Sequence, residues 1–375
     1  MNKELHTSHF YILRQKGAAI LLTVMLLLIM VTLVTLYTGK IQSFEHQIVI
    51  NTQNQLWAKA AAKSGLNQGL AMLSVNKDWI DNDISENLED ASSFVISAIS
   101  KDLPHNRKLI TVESIGKSAD SLAKAKVSEQ VLIYPILFNV PIAPLMVQNG
   151  FTSSGELEVV INPNGLGVGE PLSLWSNVSV SLTGSSHHSC LQVEFDSGNC
   201  TSNAYSNHLV KQSDIVDNSA SFPADLVSYL FNIPATNLLL LKEQADVVLA
   251  ACDTLDIGSW GVIWVDGDCE ISASTQIATQ SDPIILIVFD GSVIFQSDVT
   301  FYGLVFSYKP ASSSKVLDIQ MQVNSVVVGA IATNHQLGVS SGITRVVYHQ
   351  QVQENLQSSK ELQRLARVPG SWHDF

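Results

Sequence analysis

The sequence predicts an α+β protein: a long N-terminal helix that begins in a membrane, a small α/β head, and a β-rich ectodomain wound as a parallel β-solenoid with a helical insertion. Three observations predict it. Residues 18–37 are apolar except for Thr23, Thr32 and Thr35, with no charge or proline among them. Helical spacing then continues to Val75, but its apolar side narrows to a seam. From Pro144 onward, short apolar runs recur between clusters of Gly, Asn, Asp and Ser.

Residues 1–17 read as a leader. A helix over 18–37 at about 1.5 Å per residue spans about 30 Å, the thickness of a bilayer's hydrocarbon core. Lys3, Arg14 and Lys16 precede it, so the positive-inside rule leaves the N-terminus in the cytoplasm and sends the remaining chain across. A cleaved secretory signal is the rival reading. Its apolar region is shorter, about 7–15 residues, and ends in a small-x-small site. Leu36-Tyr37-Thr38-Gly39-Lys40 offers none, so the segment is expected to stay on the mature protein. Beyond it, Leu66, Leu70 and Leu73 recur at helical spacing among strong helix formers such as Ala60, Ala61 and Ala62. One helix over 18–75 is therefore expected, greasy all round at first (18–37, transmembrane) and then one-sided, docked on the protein's own domain.

A basic residue, a glycine and a small residue opening a long apolar helix, Lys16-Gly17-Ala18, resemble the prepilin peptidase site of type IV pilins. The resemblance implies cleavage after Gly17 and methylation of the new N-terminus, Ala18. A glycine there lets the protease approach the backbone closely. Major pilins carry a glutamate at the fifth mature position, where this chain has Leu22. That absence, and the Gln-, Asn- and Ala-rich stretch from Glu45 to Leu73, resemble the PilX-like minor pilins; the missing glutamate is also a feature of the K-type pseudopilin of type II secretion. Softer likenesses to large PilX-like proteins of Gram-negative bacteria lie in Gly261–Cys269, Pro283–Asp290, Tyr302–Phe306 and Val328–Thr333. The family implies a structural, non-enzymatic role in pilus assembly, at the tip or in priming, with an adhesive or interaction domain. Its implied partners are a prepilin peptidase, other minor pilins, the major pilin and the inner membrane. The implied placement is single-pass, with the ectodomain periplasmic, or extracellular within a pilus.

Charged residues make up 15% of the chain, a low-charge texture that suits extracytoplasmic β-proteins. The formal net charge is −13. Loss of residues 1–17 removes Lys3, Arg14, Lys16 and Glu4 and brings it to −15. That acidity argues against nucleic acid as a partner, because neutralising phosphates takes Lys and Arg. Cys190, Cys200, Cys252 and Cys269 all follow the membrane segment, as an oxidising compartment favours. The spacings suggest Cys190–Cys200 closing a Ser-, Gly- and Asn-rich loop and Cys252–Cys269 pinning a helix end to a strand. Four cysteines allow three pairings, and the other two stay open. His187 and His188 lie near Cys190, where solvated side chains in a Ser-rich loop are expected and no metal. No cofactor is implied.

A second helix over 86–100 is expected next, then strands over 109–115 and 126–133, making the small head at 78–135. Pro135, Pro141 and Pro144 mark its boundary. The ectodomain, 144–350, carries the apolar groups 262–265, 284–289, 304–306, 326–331 and 345–348. Their midpoints lie roughly twenty residues apart, the recurrence of stacked coils. The rival is an antiparallel sandwich with hairpin turns at Asp266-Gly267 and Asp290-Gly291. Against it, Ile284–Phe289 is continuously apolar, as in a strand buried on both faces. An insertion over about 184–257 is expected to hold two helices, 222–231 with Pro223 in its first turn and 237–251, and to cap the solenoid's open end. Residues 351–375 read as a C-terminal helix and tail.

Motifs for hydrolase elbows, zinc proteases and phosphate loops are absent; Gly165-Leu166-Gly167-Val168-Gly169 lacks dinucleotide-loop spacing. Asp266, Asp268, Asp290 and Asp298 are the carboxylates a solenoid lyase could use, but Arg345 is the only arginine between Gln148 and Gln350. Asp266-Gly267-Asp268 reads most simply as a turn, with calcium binding left open. Two functions remain: the minor pilin, and a membrane-tethered periplasmic domain that binds or cleaves carbohydrate outside any pilus.

Overall fold

Helix α1 runs unbroken over Lys16–Val75, as a proline-free stretch rich in Leu, Ala, Lys and Gln allows. The computed structural model describes residues 16–79, 83–153, 155–182, 186–201, 203–339 and 343–374. Side chains of α1 are exposed from Ala19 to Trp57 except for half-buried Asn54. Ala58, Ala61, Ala62, Leu66, Leu70 and Leu73 then form a buried stripe. The stripe lies on an antiparallel sheet of β1 (Ile84–Asn87), β2 (Ser93–Leu103), β3 (Arg107–Lys117) and β4 (Lys124–Pro135). Phe94, Ile96, Ile110, Val112, Val127, Val131 and Ile133 complete the core of this head. Contact is close because small residues face each other. A Cβ on Gly116 of β3 would lie 2.1 Å from the Ala58 carbonyl oxygen of α1, so only glycine fits.

The head differs from expectation in two ways. Its helix is the last part of α1, from Ala58, and in place of the expected second helix over 86–100 the chain forms the end of β1, a turn over 88–92 and most of β2. Phe94, Val95, Ala98 and Ile99 have helical spacing, but Phe94, Ile96 and Ala98 alternate as well, and pairing of β2 with β3 along its whole length favours the strand. The expected strands 109–115 and 126–133 lie within β3 and β4. The sheet is then completed from the far end of the chain. Gln363–Arg367 pairs antiparallel with β4, and His373–Asp374 pairs with the other end of β4, so the supposed tail belongs to the head.

Beyond Pro144 the strands lie in parallel ladders. Val247–Leu249, Val262–Asp266, Ile284–Phe289, Thr300–Tyr308 and Val326–Thr333 stand side by side in that order. The recurring apolar groups are therefore hydrogen-bonded neighbours: Val262 pairs with Ile285, Leu286 with Val305, and Val305 with Ile331. Past Val326–Thr333 the ladder divides. Ile331–Thr333 pairs with Leu145–Val147, which leads to Leu174–Ser176 and Ile215–Val216. Val327 and Val328 pair with Val346 and Val347, and that strand leads to Glu156–Val160 and Ser186–Cys190. Two further parallel sheets, one through Cys269–Ile271, Val293–Phe295 and Ile319–Met321 and one through Leu337–Val339, Phe151–Ser153 and Val180–Leu182, face the large one. The chain thus enters in the middle of the stack, builds to one end, crosses to the other and winds back.

The turns at Asp266-Gly267 and Asp290-Gly291 stack on each other and join no hairpin, since the strands before them pair in parallel. Ile284, Leu286 and Val288 point into the core between the sheets, while Ile285 and Ile287 point out beneath the crossing segment. That segment is less helical than expected. Leu226–Phe231 forms one helix, with Asp225 capping it by accepting from the Ser228 N–H at 2.9 Å, so Pro223 lies ahead of the first turn. Of 237–251, only Leu239–Glu243 is α-helical, after a turn of 3₁₀ helix, and Val247–Leu249 is the terminal strand of the ladder. The helices cover the sheet's outer face, with Leu226, Leu230 and Leu241 against Trp264, Ile287 and Phe306, and the strand occupies the open end.

Candidate functional site

The apolar end of α1 presents exposed apolar side chains all round. Thr23, Thr32, Thr35 and Thr38 donate their hydroxyls to backbone carbonyls three or four residues back, at 2.8–3.2 Å. The segment's few polar side chains are therefore satisfied within the helix, as a hydrocarbon environment requires. It is one helix long and apolar enough to cross a membrane, near the N-terminus and with no part of its apolar window buried. Leu22 is exposed among Leu21, Val24 and Met25, a surface of hydrocarbon alone. Lys16, Gly17 and Ala18 form the first turn of α1. Of the expected leader, 1–17, residues 1–15 lie outside the described residues.

Both disulfides join cysteines near in sequence. Cys190 is bonded to Cys200 with Cα atoms 5.3 Å apart, and Cys252 to Cys269 at 5.0 Å. The second ties the loop after Val247–Leu249 to the strand Cys269–Ile271, so no helix end is involved. The first closes a loop carrying the short helix Gln192–Asp196 at the other end of the stack. His187 and His188 are not loop residues but part of the strand Ser186–Cys190. His187 is 2% exposed, neither ring nitrogen has a partner, and burial pushes its pKa down from 6.5 to about 4. The solvated reading is corrected for His187: strand alternation turns it inward. No group of three or more His, Cys, Asp or Glu suited to a metal occurs among the described residues. The Asp266 carboxylate accepts from Lys242 Nζ at 2.6 Å and Trp264 Nε1 at 2.8 Å, which hold it below the usual carboxylate range. Asp268 accepts from the Ser292 N–H at 2.9 Å. Asp268 thus ties two stacked turns together, while Asp266 joins its strand to the helix Leu239–Glu243.

One site has no sequence signature. A cavity of about 610 Å³ opens between the loop after Glu156–Val160, the disulfide loop and the C-terminal helix Gln350–Ser358. Gln353 stands in its wall, 2% exposed, with neither amide oxygen nor nitrogen partnered; His349 Nδ1 beside it is also buried without a partner. A glutamine in a Gln-rich helix gives no local signal, and only the packing singles it out.

The fold thus defines a protein whose long N-terminal helix, apolar over its first part, leads to a β-rich α+β domain. No family model matches the chain, and no curated protein matches it. Among solved structures, the competence-associated pilin ComZ from Thermus thermophilus is similar over 86% of this chain and 98% of its own, at 12% identity and a TM-score of 0.29. A likeness that distant does not assign this chain to a family.

Proposed function

We propose that this chain is a minor pilin-like structural protein of type IV pilus assembly, PilX-like in its N-terminus, whose parallel ladders form a β-solenoid for adhesion or interaction. One observation carries the reading: Lys16-Gly17-Ala18 opens a single continuous helix, apolar over 18–37, exposed as far as Trp57 and docked on a head from Ala58 onward. Such an arm needs either lipid or the arms of neighbouring subunits around it. A prepilin peptidase would cut after Gly17, and Ala18 would be methylated. Other minor pilins and the major pilin would be its partners, and its role would be non-catalytic. The finer proposal is a place at the tip or in a priming complex. A glutamate at the fifth mature position answers to a neighbouring subunit's N-terminal amine, and Leu22 cannot take that part. Leucine is the stable residue for a first subunit, because an uncompensated carboxylate in the bilayer costs about 3 kcal/mol or more.

Expression with a prepilin peptidase tests the processing. Membrane-extracted protein should begin at Ala18, and Gly17→Trp should retain the leader while still inserting. An intact Met1 in the wild-type chain would leave a plain membrane tether. Immunogold labelling of sheared pili should find the protein at pilus ends; label along the whole shaft contradicts the tip placement.

A further inference from the structure

We propose that the cavity beneath the C-terminal helix is a binding site for an uncharged sugar. Its volume of about 610 Å³ lies within the range of about 300–1,000 Å³ typical of small-ligand pockets. Its most unusual feature is Gln353. Buried polar groups are almost always bonded, and an amide with both halves unpaired is a standing cost that a ligand can remove. The amide offers a donor and an acceptor side by side. Its terminal torsion is soft, so it can turn toward the cavity. A hydroxyl both donates and accepts, so two adjacent sugar hydroxyls satisfy the oxygen and the nitrogen together, with His349 Nδ1 placed for a third.

Two other polar side chains of the lining are already committed. Asn162 Nδ2 donates to the Ile142 carbonyl at 2.8 Å, and Gln357 Nε2 to the Phe138 carbonyl at 2.9 Å. They brace the walls and leave Gln353 as the recognition group. Charge excludes the main rivals. No lysine or arginine lines the cavity, so an anion finds no counter-charge, and its carboxylate, Glu354, is held by Gln350 Nε2 at 2.8 Å. A peptide added as a strand would need a free edge, whereas the backbone here is used: Ile161 N–H bonds the Cys190 carbonyl and Tyr348 N–H the Val160 carbonyl. At the rim, Leu191 and Val193, 37% and 79% exposed, give the apolar faces of a sugar ring something to pack on. The site stands independently of whether the chain enters a fibre.

The test uses the full chain in a detergent without a sugar headgroup. Its binding to a panel of neutral mono- and disaccharides is followed by saturation-transfer NMR and titration calorimetry. At least one sugar should bind, and Gln353→Leu should weaken it by about tenfold or more, the scale of one or two lost hydrogen bonds. The same variant should melt no lower than wild type without ligand, since it removes an unpaired amide. Should Gln353→Leu fail to fold, Val193→Trp at the exposed rim blocks the mouth and should weaken binding similarly. No binding across the panel, binding that both variants leave unchanged, or binding of N-acetylated dipeptides with no sugar bound would overturn the proposal.

Discussion

His187 shows how one side chain can set a condition on the whole β-rich domain. Its ring is enclosed at the end of the ladder with no partner for either nitrogen, and burial holds its pKa near 4 against 6.5 in the unfolded chain. Above pH 6.5 neither state binds the proton and nothing is lost. Between pH 6.5 and 4 only the unfolded chain takes it up, so stability falls as pH falls, by about 3 kcal/mol in all. Below pH 4 both states bind it and this contribution levels off. Denaturant midpoints measured from pH 7 to 4 should drop in wild type, and His187→Leu should remove most of that part of the slope. An unchanged slope would mean that carboxylates alone govern acid sensitivity. The Cys pairs were suggested by the sequence at this scale, because close spacing favours local closure, although it left two other pairings open; the burial of His187 was not, because it depends on which way a strand of five residues faces.

At the scale of the element, the strand Ile284–Phe289 has two dry faces, one on the inner core and one beneath the crossing helices, which explains its unbroken apolar run. Where Thr300–Tyr308 and Val326–Thr333 turn from one face to the next, Gly303 and Gly329 stack at φ +142° and +143°. A Cβ on Gly329 would lie 1.9 Å from the Gly303 carbonyl oxygen, so the corner admits no side chain. The ladder's outermost strand, Val247–Leu249, is only three residues long, and the Cys252–Cys269 bond holds the loop that follows it. With both cysteines buried and 17 residues apart, replacing the pair by alanines should cost about 3 kcal/mol by loop closure. Equilibrium denaturation would measure it. A change well under 1 kcal/mol would show that neighbouring strands alone hold the end.

At the scale of the molecule, the chain closes on itself. Gln363–Arg367 completes the head sheet, and from it Arg364 reaches the ladder's end, donating to the Asp246 carboxylate at 2.7 Å and the Gln244 carbonyl at 2.9 Å. Asp246 also accepts from the Val262 N–H at 2.8 Å, so one carboxylate links the head strand Gln363–Arg367 to a strand of the large sheet. Both partners are mostly buried, and Arg364→Ala leaves that carboxylate without its cation, at about 1–3 kcal/mol. Limited proteolysis should then cut faster between 135 and 144, where the head meets the ladders. Equal resistance of wild type and variant would mean that strand pairing alone joins the two parts.

The sequence by itself determined what depends on near neighbours. The apolar arm, the change to a one-sided helix and the recurrence of apolar groups are legible because hydropathy and helical or strand period act over a few residues. The expected helix over 86–100 marks the limit, for Phe94-Val95-Ile96-Ser97-Ala98-Ile99 satisfies both periods and only pairing with β3 separates them. Tertiary structure decided what joins distant residues: the entry of the chain in mid-stack, the helices laid over a face with a strand at the end, the C-terminal strand on β4, and the unpaired amide of Gln353. Each is a choice among partners far apart in the chain, made by which apolar surfaces and backbone edges remain uncovered once the local elements have formed.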